Sequence, residues 1–122
     1  MDTTTRQIKV LAVDDNPDIL VAVENHLLAF DYDVETASTA PEALGIIRQG
    51  RLPDILLSDI VMPGAIDGIE LARIVRQDYQ GVGIVLMTGW SYDNAHGFPV
   101  LTKPFQLSEL TDWIGKYLAG VR

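Results

Sequence analysis

The run LLSDIVMPG, residues 56–64, ends an apolar stretch on one carboxylate, Asp59, and then turns at a Pro-Gly pair. A strand of that composition is buried, and a buried strand that finishes on an anion needs a compensating partner. Two more acids, Asp14 and Asp15, follow another short apolar run. A hydroxyl, Thr88, and an ammonium, Lys103, follow two later ones. Carboxylates held about 4 Å apart repel by roughly 4 kcal/mol per pair at an effective dielectric near 20, so such a cluster calls for a cation or a shared proton. All the donors are oxygens, with no His or Cys at ligand spacing, and that set suits Mg²⁺ or Mn²⁺ with waters retained. Beside a hard divalent ion, an Asp carboxylate can attack a phosphoryl group and form an acyl phosphate. Asp59 is the candidate nucleophile, with Lys103 and Thr88 as partners for the phosphoryl oxygens.

The elements that must position these groups are legible in order. Residues 8–13 (IKVLAV) are a buried strand that stops at Asp14-Asp15-Asn16-Pro17, where Asn16 suits a helix cap and Pro17 the first helical position. Leu20, Val23, Leu27 and Phe30 then mark one apolar helix face. Val34 to Ala37 is a weaker strand. Thr39 and Glu42 have capping-box spacing ahead of a helix through Ala43, Leu44 and Ile47 that ends near Gly50. Ile55 to Ser58 leads to Asp59, and a helix carrying Ile69, Ala72 and Val75 follows. GIVLM (83–87) stops at Thr88-Gly89, and PVLT (99–102) stops at Lys103-Pro104. The last helix shows Leu107, Leu110, Ile114, Tyr117 and Val121 on one side.

Strands too uniformly apolar to have a wet face, alternating with amphipathic helices, imply an α/β fold with a parallel sheet covered on both sides. Right-handed crossovers leave a doubly wound five-stranded sheet as the simplest solution. The strand ends that lead into helices share one edge of such a sheet, so Asp14, Asp15, Asp59, Thr88 and Lys103 should meet there.

Composition narrows the function classes. The 122 residues, 48% hydrophobic, suffice for one domain with a single core. With no cysteine, disulfides and thiolate metal sites are excluded, which fits a reducing, cytoplasmic setting. No run approaches the roughly 18 apolar residues of a membrane span. Seventeen acids against nine bases give a net charge of −8, which opposes contact with nucleic-acid phosphates.

Asp14-Asp15, Asp59 followed by MPG, Thr88-Gly89 and Lys103-Pro104-Phe105, each at a strand end and in this order, resemble the receiver (response-regulator) domains of bacterial two-component signalling. The resemblance spans essentially the whole chain, 1–122. It implies a flavodoxin-like, chemotaxis-regulator fold with strand order 2-1-3-4-5. It also implies Asp59 as phosphoacceptor, Asp15 touching the metal directly, Asp14 mainly through water, and Val61 supplying a backbone carbonyl to the metal. Thr88 becomes the switch hydroxyl and Lys103 the phosphate-reading lysine. The implied phosphodonor is a histidine kinase or a histidine phosphotransfer protein. The output is a conformation rather than catalytic turnover, its signal passed to another protein, stored as a phosphate sink or relayed to another histidine, with self-phosphorylation from small donors and self-catalysed hydrolysis of the acyl phosphate. A C₂ homodimer is the commonest assembly on which such an output could act.

The chain departs from that family in three places, one of them a loop between Pro63 and Asp67 that is one residue longer than usual. Val100 stands where an aromatic is usual, and the stretch GWSYDNAHGFP between Thr88 and Lys103 is too short and irregular for a full helix, so the fourth helix should be short or absent. Trp90 falls where the family gates water access, although packing into the space left by a short helix serves as well. His26 and His96 read as solvated surface residues, Trp113 and Tyr117 as packing residues, and Gly68 and Gly89 as turn or packing glycines, Gly89 equally as one that leaves room for phosphate and a kinase to approach. A Mg²⁺-dependent aspartyl-phosphate phosphatase is the enzyme-class alternative, but such enzymes place a second acid where this chain has Val61. A phosphate-independent docking module is the other. A flavin site is disfavoured because the first strand leads into Asp-Asp-Asn rather than a phosphate-cradling loop.

Overall fold

A computed structural model describes residues 7–89 and 97–120. Five strands form one parallel sheet: β1 (Lys9–Val13), β2 (Asp33–Ala37), β3 (Ile55–Asp59), β4 (Gly83–Thr88) and β5 (Val100–Thr102). Their order is β2-β1-β3-β4-β5, the doubly wound arrangement expected. Among the described residues four helices cover it: α1 (Pro17–Ala29), α2 (Ala40–Arg48), α3 (Gly68–Asp78) and α4 (Leu107–Gly120). None is long and apolar enough to cross a membrane.

The strands alternate their side chains between two apolar layers. Val10, Ala12, Ile55, Leu57, Val85 and Met87 point toward α1 and α4, meeting Val23, Leu27, Leu110 and Ile114. Leu11, Val13, Leu56 and Leu86 point the other way, toward Ala43, Ile47, Leu71 and Val75 of α2 and α3. Every residue of β3 and β4 is buried, which follows from their central position in a sheet covered on both faces. At the edge where strands begin, Asp54 joins β1, β3 and β4. Its N–H donates to the Lys9 carbonyl, its carbonyl accepts from Gly83 N–H, and its Oδ2 accepts from Lys9 N–H at 2.9 Å.

Helix starts follow the capping residues. Asn16 Oδ1 accepts from Asp18 N–H, with Pro17 in the first turn of α1. Asp67 Oδ1 accepts from Glu70 N–H at α3. At α2, Thr39 Oγ1 accepts from Glu42 N–H, but the Glu42 carboxylate reaches Ser38 N–H and Oγ instead of the Thr39 N–H that a capping box requires. Gly50, with φ +90°, follows α2 as a terminator.

Two readings of α1 need correction. Phe30 lies just past the helix end as its C-cap and is 56% exposed, so it does not extend the buried face of Val23 and Leu27. His26 is not simply solvated. Its ring sits 4.9 Å from that of Phe30, and its Nε2 is 3.5 Å from Thr111 Oγ1 of α4. Trp113 and Tyr117 pack as expected, stacked with centroids 5.3 Å apart.

The link from β4 to β5 contains no helix among its described residues, Gly89 and 97–99. Trp90 and His96 lie outside the described residues. Val100 is half-buried against the α2–α3 layer. Among the described residues of this link the aromatic is Phe98, buried in the same layer, with the Arg76 guanidinium of α3 positioned 4.1 Å over its ring.

Candidate functional site

Asp14 and Asp15 follow β1, Asp59 ends β3, Thr88 ends β4, and Lys103 follows β5. The parallel registers bring these ends to one edge. Val13 is opposite Ser58, Asp59 opposite Met87, and Thr88 opposite Thr102. One carboxylate oxygen from each of Asp14, Asp15 and Asp59 lies within 4.8 Å of the others. Asp14 is fully buried and Asp59 nearly so, whereas Asp15 faces solvent.

Each group is fixed by its element. Asp14 keeps its backbone N–H on Ala37 of β2, while its Oδ1 accepts from Asn16 N–H at 2.9 Å. Its Oδ2 meets Lys103 Nζ at 2.9 Å. The same ammonium lies 3.5 Å from Asp59 Oδ2, so Lys103 bridges the two buried acids. Lys103 N–H donates to the Thr88 carbonyl at 2.6 Å, which ties the lysine to the end of β4. Thr88 itself is fully buried.

The electrostatics centre on Asp59. Burial pushes its pKa above the usual carboxylate value, and the neighbouring Asp14 charge pushes it further. The Lys103 charge, the Val61 N–H and the hydrogen bond from Lys103 pull against this. When all three acids are ionised, three negative charges face one ammonium, leaving two uncompensated. A divalent cation would balance that excess. The all-oxygen donor set, with Asp15 open to solvent, fits a hard ion that keeps part of its water shell. Val61, whose carbonyl the family resemblance adds to the set, follows Asp59 by two residues and has an exposed side chain.

One residue beside Asp59 escaped sequence reasoning, and a second proved tighter than expected. Ser58 is fully buried, and its Oγ donates to the Asp59 carbonyl at 2.9 Å. The only hint was a polar side chain inside an apolar strand. Gly68 is the packing glycine expected. A Cβ there would overlap the Asp59 carbonyl oxygen and lie 2.8 Å from its carbonyl carbon and from Ile60 Cα. Only glycine lets the start of α3 seat on that peptide. Gly89 has open space where its side chain would be.

The model of the response regulator receiver domain matches residues 10–115, and the chain belongs to that family, the receivers of two-component signalling. The transcriptional regulatory protein PrrA of Mycobacterium tuberculosis is 33% identical over 117 residues, covering 90% of this chain and 49% of PrrA. The chain thus spans about half the length of the curated relatives it matches. Among solved structures, the chemotaxis response regulator CheY4 of Vibrio cholerae is 31% identical with a TM-score of 0.81, covering 91% of this chain and 98% of CheY4. The response regulator TrrA of Thermotoga maritima, solved in complex with Mg²⁺-BeF, is 30% identical with a TM-score of 0.81, covering 90% and 98%.

Proposed function

We infer that the chain is a phosphorylation-controlled switch in which Asp59 accepts a phosphoryl group from a phosphohistidine on a kinase or phosphotransfer protein. An Asp59 oxygen attacks phosphorus, the O–P bond forms as the N–P bond breaks, and the departing imidazole keeps the electron pair and takes up a proton. Lys103, already 3.5 Å from Asp59, stabilises the transferring oxygens, and Thr88 supplies a hydroxyl to them at the end of β4. Asp14, Asp15, Asp59 and the Val61 carbonyl would hold Mg²⁺ or Mn²⁺, whose charge offsets repulsion between the phosphoryl oxygens and the acids. The observation that carries this reading is the meeting of three carboxylates and one ammonium around a nearly buried Asp59. The complex of the TrrA relative with Mg²⁺-BeF supports it.

The acyl phosphate is lost by hydrolysis at the same site, which limits the signal in time. The output passes to another protein, or to a second copy of this chain, through the region around Thr88 and the β4–β5 link. The acidic balance of this segment opposes direct contact with nucleic acid, and the absence of cysteine suits a cytoplasmic setting.

Incubation with acetyl phosphate and Mg²⁺, followed by intact mass, tests this. The expected result is a gain of one phosphoryl group that disappears in Asp59→Ala and when EDTA replaces Mg²⁺. Continuous release of phosphate from many phosphoesters would instead indicate a phosphatase. No adduct under any condition would leave a docking module.

A further inference from the structure

Ser58 is a buried hydroxyl that the phosphoryl chemistry leaves unused. Its surroundings explain why a polar side chain interrupts the apolar run of β3. Successive residues of a strand offer their backbone groups to opposite neighbours. Ile60 N–H is already taken by the Met87 carbonyl of β4, so Asp59 turns its carbonyl to the β1 side. There the ladder has ended, its last pair being Val13 with Ser58. The Ser58 hydroxyl supplies the missing donor at 2.9 Å. From the other direction, Gly68 seats the first turn of α3 directly on the same peptide. The backbone that follows the Asp59 Cα is therefore held by one hydroxyl and one close backbone contact.

We propose that Ser58 is a positioning residue for the acceptor. Its hydroxyl fixes the peptide from which the Asp59 carboxylate projects, keeping the attacking oxygen aligned with Lys103 and the other acids. Ser58 touches neither phosphorus nor metal. The proposal rests on the reading of Asp59 as phosphoacceptor. Displacement at phosphorus is sensitive to placement, a shift of about 1 Å costing on the order of a hundredfold. Loss of one buried hydrogen bond produces a smaller shift, and a slowing of about tenfold is expected.

The test compares wild type, Ser58→Ala, Ser58→Cys and Ser58→Thr as full chains with Mg²⁺ and acetyl phosphate. Phosphoryl gain on Asp59 is followed by intact mass across donor concentrations, and the folded fraction is measured by near-UV circular dichroism. Ser58→Ala should react about tenfold more slowly at saturating donor, with an unchanged KM. Ser58→Cys, which fills the same space with a much weaker donor, should be similarly slow, and it decides the matter if the alanine variant fails to fold. Ser58→Thr, which keeps the hydroxyl, should recover most of the rate. A merely structural role would reduce the reacting fraction in step with the folded fraction and leave the rate constant of folded molecules untouched. That result, or a threonine variant as slow as the cysteine one, overturns the positioning role. If wild type reacts at Asp59 and the variants match it, only this proposal falls. If wild type gains no phosphoryl group, the acceptor reading falls and takes this one with it.

Discussion

Strands β3 and β5 carry the two ends of the same ion pair, yet they are built differently. All five residues of β3 are buried, and it has a strand on either side. The three residues of β5 form an edge, with Val100 and Leu101 half-buried and Thr102 exposed. The proposed nucleophile therefore ends a strand packed on every side, and the cation follows a short edge strand, held to β4 by its own N–H. An attacking group gains from being held still. Lys103, which we propose bridges two acids in one state and meets a phosphoryl group in another, follows a strand with a neighbour on one side only.

Truncation should expose this contrast most strongly. Leu57→Ala, in β3, is expected to cost about 2–5 kcal/mol in urea unfolding because its surroundings are packed on all sides. Leu101→Ala, half-buried in β5, is expected to cost roughly 1 kcal/mol. Equal losses would mean that the two strands are equally rigid. Lys103→Met removes the ammonium shared by Asp14 and Asp59, and a loss of about 1–3 kcal/mol is expected at neutral pH, lessened by the partial exposure of the lysine. Added Mg²⁺ should stabilise this variant more than wild type, a difference readable as a shift in melting temperature.

The smallest effect concerns pH. Because the folded protein raises the pKa of Asp59 above 3.8, the native state binds this proton more tightly than the unfolded chain. Stability from this group is thus present in acid and lost as pH rises through the folded value. In metal-free buffer at pH 7, Asp59→Asn should melt a few degrees above wild type, and the gap should close toward pH 4. A variant that melts lower at pH 7 would show that Lys103, not burial, dominates the environment of Asp59.

The strand ends were readable because each apolar run stops on a polar residue, so a parallel sheet must deliver Asp14, Asp15, Asp59, Thr88 and Lys103 to one edge. The buried strands gave clear signals, and β2, an edge strand with Glu35 and Thr36 in it, gave a weak one. What remained hidden depended on distances between elements. Whether Ser58 is needed as a donor depends on where the β1 ladder stops. Whether Gly68 is replaceable depends on how close α3 comes to β3. Phe30 continued the helical spacing in sequence, but the helix ends one residue earlier and the ring turns outward to His26. The His26–Thr111 contact needed the spacing of α1 from α4. Phe98, two residues from Val100, reveals its place only once Arg76 is seen above it.

Asp54, at the opposite rim, shows what an acid looks like when the scaffold consumes it. Its carboxylate serves the main chain of β1, and its own peptide groups stitch three strand starts together. Aspartates thus serve both rims of this sheet, one as mortar and the other as the reagent we propose. At the functional rim the acids meet main-chain N–H groups as well, and they share the Lys103 ammonium besides.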